Sequence, residues 1–147
     1  MEADVDDIGH LILEVFRLNG RLLAVGDGIV GRLGLTSARW QVLGAIIRAE
    51  QLPTVSQLAR DAGVSRQAVQ RIVNALTAES LVEMVESQQD KRAPLVQVTK
   101  TGRRVYGDAD HARREWLSGI SEALTKEGVG QATTTLRALR QGLANSE

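Results

Sequence analysis

The sequence predicts a mainly α-helical fold with one small β-hairpin, in which a compact helix–turn–helix unit lies between long flanking helices. Three observations predict it. Apolar residues recur at helical spacing along most of the chain. Gly63 interrupts two short helical stretches where a tight turn is needed. Between Leu81 and Thr99 the pattern changes from helical period to alternation.

The first helix is read from Ile8, Leu11, Ile12, Val15, Phe16, Leu22 and Leu23, within residues 5–33. Its second half carries Gly26, Gly28 and Gly31. Each costs about 0.5–1 kcal/mol relative to alanine inside a helix, which marks this half as the place to fray or bend. Gly34 ends the element, and Thr36 is a good N-cap for a second helix with Trp40, Leu43, Ile46 and Ile47 on its inner face. Pro53 breaks that helix. Thr54 and Gln57 then have capping-box spacing and open a short helix holding Leu58 and Ala59. Ser65 caps the next helix, whose buried stripe is Val69, Ile72, Val73 and Leu76.

Residues 82–87 and 95–98 alternate as strands, with the polar loop SQQDKRAP between them. Thr99 starts a further helix with Val105, Tyr106, Ala109, Ala112, Trp116 and Ile120 spaced for burial. A last helix over about residues 127–144 carries Val129, Ala132, Leu136, Leu139 and Leu143. The order is that of a winged helix–turn–helix with extra helices at both ends. The parts expected are a dimerisation helix at 1–35, a DNA-binding lobe at 36–100, and C-terminal dimerisation helices at 101–147.

Composition narrows the function. A 43% hydrophobic content over 147 residues supports a real core and excludes wholesale disorder. Lys plus Arg equals Asp plus Glu at 18 each, so net charge alone implies no partner. The distribution is uneven: residues 54–104 hold eight basic and five acidic side chains, and both flanks are slightly acidic. There is no cysteine, which excludes disulfides, thiol redox sensing and zinc ribbons. The two histidines, His10 and His111, are far apart in sequence and are expected at the surface, not on a metal. No phosphate loop, ligand cluster or nucleophile–base pair points to an enzyme or a cofactor. No apolar run is long enough for a membrane helix, and the acidic start MEADVDD is unlike a secretory signal, so a cytoplasmic protein is expected.

The helix–turn–helix carries the functional signal. Two helices cross steeply over a short turn only if their contact residues are small. Ala59 supplies this, Gly63 allows the turn, and Val64 is expected to plug the space beneath. With the apolar stripe inward, Arg66, Gln67, Gln70, Arg71 and Asn74 share the outward face behind the cap Ser65. Arg pairs bidentately with guanine, and Gln or Asn with adenine. The alternative is a plain solvated helix face. Such faces usually mix Glu and Lys, and this one has no acid before Glu79. At the hairpin tip, Asp90, Lys91 and Arg92 can reach past this helix. Arg92 suits a narrow minor groove, and Asp90 is expected to hold it by a salt bridge; the competing reading, disfavoured beside a helix–turn–helix, has the same pair only stiffen an exposed loop.

The run from Gly34-Leu35-Thr36 and Trp40, through QLARDAGVSRQAVQRIVNALTAESLV, to DKRAPLVQVTKTGRR resembles the MarR family of bacterial transcriptional regulators. Its most specific part is the D-x-R-A wing, Asp90, Arg92 and Ala93, followed by Thr99, Gly102 and Arg103. The resemblance implies a homodimer on a pseudo-palindromic operator, usually a repressor, in many members released by small aromatic or anionic ligands. It places an effector site where the dimerisation helices meet the DNA-binding lobe. Candidates there are Phe16, Arg17, Arg39 and Trp40; the competing reading makes Phe16 and Trp40 plain core.

A dimer is expected on physical grounds as well. The stripes Leu11, Val15 and Leu22, Trp116, Ile120 and Leu124, and Leu136, Leu139 and Leu143 need a partner surface. Two-fold symmetry then sets two recognition helices about 34 Å apart. The rival readings are a protein-interaction module using the winged-helix surface and a non-specific architectural DNA binder. Arg66, Arg71 and Arg92 disfavour the first, and the near-neutral charge with the amide-rich stripe disfavours the second.

Overall fold

The computed structural model describes residues 1–146. It forms two compact units, Met1–Ala112 and a second beginning at Arg113.

In the first unit, α1 runs from Val5 to Val30. Asp4 caps it by accepting from the Asp7 N–H at 2.8 Å, and Asp6 and Asp7 complement the positive end of the helix dipole. The glycine-rich half does not fray. It stays α-helical to Val30 and tightens into a 3-10 turn over Gly31–Leu33. Packing explains this: Gly26 and Val30 are the buried residues of α1, so the weak stretch is the stretch that is held. Most of the remaining apolar side chains of α1 are exposed, Ile8, Leu13, Phe16, Leu18 and Leu22 among them.

Gly34, with φ +77°, makes the left-handed turn into α2, Ser37–Arg48. Thr36 accepts from the Arg39 N–H, as its position as an N-cap predicts. Helix α3, Val55–Ala62, opens on a complete capping box. The Gln57 N–H donates to Thr54 Oγ1 at 3.1 Å, and the Thr54 N–H donates to Gln57 Oε1 at 2.9 Å. Gly63, with φ +68°, closes it. Helix α4, Arg66–Ala78, follows, capped by Ser65.

The core is one cluster in this unit, with Leu43, Leu58, Val69, Val73, Leu76 and Val96 among its buried members. Val64 does not join it. Its side chain is 50% exposed. The turn is closed by backbone bonds instead, from Gly63 N to Arg60 O and Val64 N to Ala59 O, and the core below comes from Leu58, Ala59 and Val69.

Helix α4 ends in a Schellman motif. The Leu81 N–H donates to Leu76 O at 2.9 Å and the Ser80 N–H to Thr77 O at 3.0 Å. Ser80 takes the left-handed conformation usually left to glycine, with φ +59°. The chain then enters β1, Val82–Val85, which pairs antiparallel with β2, Leu95–Val98, in the register Val82↔Val98 to Val85↔Leu95. Only the base of this hairpin is core: Val82, Val96 and Val98 are buried, while Met84 is exposed. The hairpin is fastened to the segment before α3. The Val96 N–H donates to Pro53 O at 2.8 Å, and Thr54 bridges to Leu95.

Helix α5, Lys100–Ile120, starts in this unit and crosses into the second. Thr99 accepts from the Gly102 N–H at 3.0 Å, and its hydroxyl donates to Ser80 O at 2.7 Å. In the second unit a 3-10 turn over Ser121–Ala123 precedes α6, Lys126–Ala144, capped by Thr125. No residue of α6 is buried, and Val129, Leu136 and Leu143 are exposed. Apolar side chains of α1 and of α6 are thus exposed, each on its own helix.

Candidate nucleic-acid interface

The outward face of α4 is built from the inside out. Val69, Val73 and Leu76 are fully or nearly fully buried, and Ile72 is partly buried against them. A helix anchored on that stripe must turn residues about 180° away toward solvent. Ser65, Arg66, Gln67, Arg71 and Asn74 are accordingly exposed. Gln70 is half-buried, and its Nε2 donates to Asn74 Oδ1 at 2.9 Å. This pairing holds both amides in place, and leaves the Gln70 carbonyl oxygen as an acceptor and the Asn74 NH2 as a donor.

The N-terminus of α4 is electrostatically open. Ser65 Oγ accepts from the Ala68 N–H at 3.1 Å, and the first turn holds no acid. Arg66 sits there against the helix dipole, a placement that costs up to about 1 kcal/mol for an exposed cation. By contrast the first turn of α1 holds Asp6 and Asp7, and that of α6 holds Glu127. Among the described residues neither Arg66 nor Arg71 has an ion-pair partner. A phosphate at this helix end would meet backbone N–H groups and a guanidinium together.

The wing is organised by a residue that the sequence pattern did not single out. Ser87 is buried, and its Oγ accepts from the N–H groups of Gln89 at 3.3 Å and Asp90 at 3.2 Å. The expected salt bridge between Asp90 and Arg92 is not what Asp90 makes. Asp90 Oδ1 accepts from the backbone N–H of Arg92 at 2.9 Å, and its carbonyl accepts from the Ala93 N–H. An Asx-turn holds an aspartate to a backbone donor two residues on, so the carboxylate is spent on shaping the loop. The Arg92 guanidinium has no ion-pair partner among the described residues. Lys91 lies 3.7 Å from Glu86 Oε1, both largely exposed, an arrangement worth little in water. The signal for Ser87 was its place three residues before Asp90, the spacing of a hydroxyl that accepts from a turn backbone.

The effector candidates are more dispersed. Arg39 and Trp40 are half-buried at the start of α2, and Trp40 packs on the core. Phe16 is 70% exposed, so it is not core. Arg17 is exposed and pairs with Glu14 on its own helix at 3.0 Å. Trp40 lies beside Gly26, and ten residues of α1, about 15 Å, separate that glycine from Phe16. His10 and His111 are both exposed, and the described residues hold no cluster of three or more His, Cys, Asp or Glu able to bind a metal ion. No helix among them is long and apolar enough to cross a membrane.

A helix–turn–helix with a cationic, acid-free outer helix and a wing fastened beside it defines a DNA-binding regulator of the winged-helix class. Comparison with known proteins gives the family. Residues 33–93 match the MarR family model. The transcriptional activatory protein BadR of Rhodopseudomonas palustris is 32% identical over 150 residues, covering 98% of this chain and 82% of BadR. An uncharacterised protein of Mycobacterium tuberculosis is 40% identical over 100 residues, 68% of each chain. The Escherichia coli MarR C80S mutant, in its complex with operator DNA, has the same fold with a TM-score of 0.79 at 22% identity, over 93% of this chain and 99% of that one. The chain belongs to the MarR family of transcriptional regulators.

Proposed function

We propose that the protein binds a pseudo-palindromic operator as a homodimer and controls transcription from a nearby promoter. In this reading Gln67, Gln70, Arg71 and Asn74 face base edges in the major groove. Ser65, Arg66 and Lys91 meet phosphates, and Arg92 enters the minor groove. The observation that carries it is the exposed stripe of α4, polar and free of acid from Ser65 to Asn74 on a helix pinned from behind by Val69, Val73 and Leu76. The exposed apolar side chains of α1 and of α6 support the dimer.

Repression is the regulatory sign carried over from the family resemblance, while BadR is named a transcriptional activatory protein. The position of the operator decides between them: a site overlapping the promoter blocks polymerase, and one upstream leaves it room to be recruited. A small aromatic or anionic effector would use Trp40 for stacking and Arg39 for a carboxylate, with Phe16 and Arg17 on the α1 side. It would release DNA by favouring a dimer whose recognition helices do not match the operator.

Selection of binding sites from random duplex DNA tests the proposal. An inverted repeat with half-site centres about 10 base pairs apart is expected. Gln67→Ala or Arg71→Ala should change preference at one position per half-site by about 1–3 kcal/mol. An unchanged consensus in both variants would show that α4 does not read bases. Retention of no duplex at low salt would favour a protein-interaction module, and retention without any consensus an architectural binder.

A further inference from the structure

We infer that Asp27 and Ser37 are positioning residues that lock α1 onto the DNA-binding lobe and so set the operator spacing the dimer accepts; this rests on the dimeric operator-binding function proposed above. Ser37, the first residue of α2, is 4% exposed. Its backbone N–H donates to Asp27 Oδ1 at 2.7 Å, and its hydroxyl donates to the carbonyl oxygen of Leu23 at 2.8 Å. Between those two contacts lies Gly26. A Cβ on Gly26 would overlap Ser37 Oγ and stand 3.4 Å from Ser37 Cβ. Residues 23, 26 and 27 of a single turn of α1 thus close on one residue of α2.

The bond from Asp27 is a charge-assisted cap delivered by another helix. The start of α2 carries unpaired N–H groups and the positive end of its dipole, so a carboxylate is favoured there. Thr36 already caps α2 locally, through the Arg39 N–H. Asp27 therefore adds something the local cap does not, a fixed angle between α1 and α2. Helix α2 packs on α4, so that angle is passed to the recognition helix. On the other side, α1 presents the exposed apolar face on which a second protomer would dock.

Geometry makes operator spacing the sensitive readout. Recognition helices one DNA turn apart each lie about 17 Å from the two-fold axis. A rotation of roughly 10° over such an arm moves the helix by about 3 Å, close to the rise of one base pair. Loss of the lock should therefore blur the choice of spacing and leave the reading of a half-site intact.

The test uses the full-length protein on inverted-repeat duplexes with half-site centres about 9, 10, 11 or 12 base pairs apart, bracketing one DNA turn. A single half-site duplex serves as the reference. The wild type should prefer one spacing by about tenfold or more, and Asp27→Ala and Ser37→Ala should flatten that preference to under about threefold. Asp27→Asn keeps an oxygen acceptor at the same place and should restore the wild-type profile. Single half-site affinity should stay the same throughout. If Asp27→Ala and Ser37→Ala lower the melting temperature or the affinity but keep the wild-type spacing profile, the two residues are structural only and the inference is overturned. If the wild type itself has no preferred spacing, the operator reading fails first, and the lock fails with it.

Discussion

Replacing Gly102 by alanine probes how firmly the recognition helix and the wing are joined. Gly102 is buried in the first turn of α5. A Cβ there would overlap the carbonyl oxygen of Leu81 and stand 2.9 Å from Val98 Cγ1 and 3.0 Å from the Leu81 carbonyl carbon. The obstruction is backbone, and that backbone is tied down. Leu81 O accepts from the Thr99 N–H at 3.1 Å and from Thr99 Oγ1 at 3.2 Å, and the Leu81 N–H completes the Schellman motif of α4. No rotamer change relieves the contact, so the start of α5 must move away. A forced shift in a packed site costs about 1–3 kcal/mol. Stretching the two Thr99 bonds adds about 0.5–1.5 kcal/mol each. Alanine returns about 1 kcal/mol in helix propensity. The net loss is about 1–5 kcal/mol, or roughly 2–20 °C in melting temperature for a chain of this size. The assay is a circular-dichroism melt at fixed protein concentration, because dimerisation would make the midpoint concentration-dependent. Gly107→Ala on the same helix is the control. Nothing lies within 4 Å of its added Cβ, so it should be neutral or stabilising. A Gly102→Ala midpoint within about 1 °C of wild type, or an equal loss in the control, would refute the reasoning.

Ser80→Gly should raise the melting temperature by about 1–3 °C, since it removes left-handed strain of about 1–2 kcal/mol and returns part of it as unfolded-state entropy; a fall would show that the Ser80 side chain has a role of its own. Arg92→Ala should weaken binding to the operator and to sites that share its narrow minor groove, and reduce the salt slope by about one, read from equilibrium titrations at several salt concentrations. Ser87→Ala should speed hydrogen exchange at the Gln89 and Asp90 amides and weaken DNA binding less than Arg92→Ala does; unchanged exchange would mean that Ser87 does not organise the wing. Leu143→Asp, at a side chain 57% exposed in the protomer, should shift the protein to monomer in light scattering without costing core packing.

Most of the architecture was legible because its signals are local. A capping box needs Thr54 and Gln57 only, and a left-handed turn needs a residue like Gly63. The outward stripe of α4 follows from where Val69, Val73 and Leu76 fall on a 3.6-residue period. Residue type and spacing mislead where the decisive partner is distant or is main chain. The helix–turn–helix pattern places Val64 beneath the turn, yet backbone bonds close that turn without it. Phe16 is large and apolar on a helical stripe, but it is exposed. Opposite charges lead one to pair Asp90 with the Arg92 side chain, whereas the shorter path leads to the Arg92 N–H.

Sequence by itself determined the order of the helices and strands, the winged helix–turn–helix between Thr36 and Lys100, and the polar face that α4 turns to solvent. Each follows from side-chain period, caps and turn residues within a few positions of one another. Only the tertiary structure decided why Gly26 and Gly102 must be glycine, that Ser37 meets Leu23 and Asp27 across a helix crossing, and that Ser87 and Asp90 shape the wing through backbone N–H groups. The physical reason is that close approach and hydrogen-bond geometry depend on atoms brought together by folding, often main-chain atoms that every residue carries alike, so residue type and spacing do not encode them.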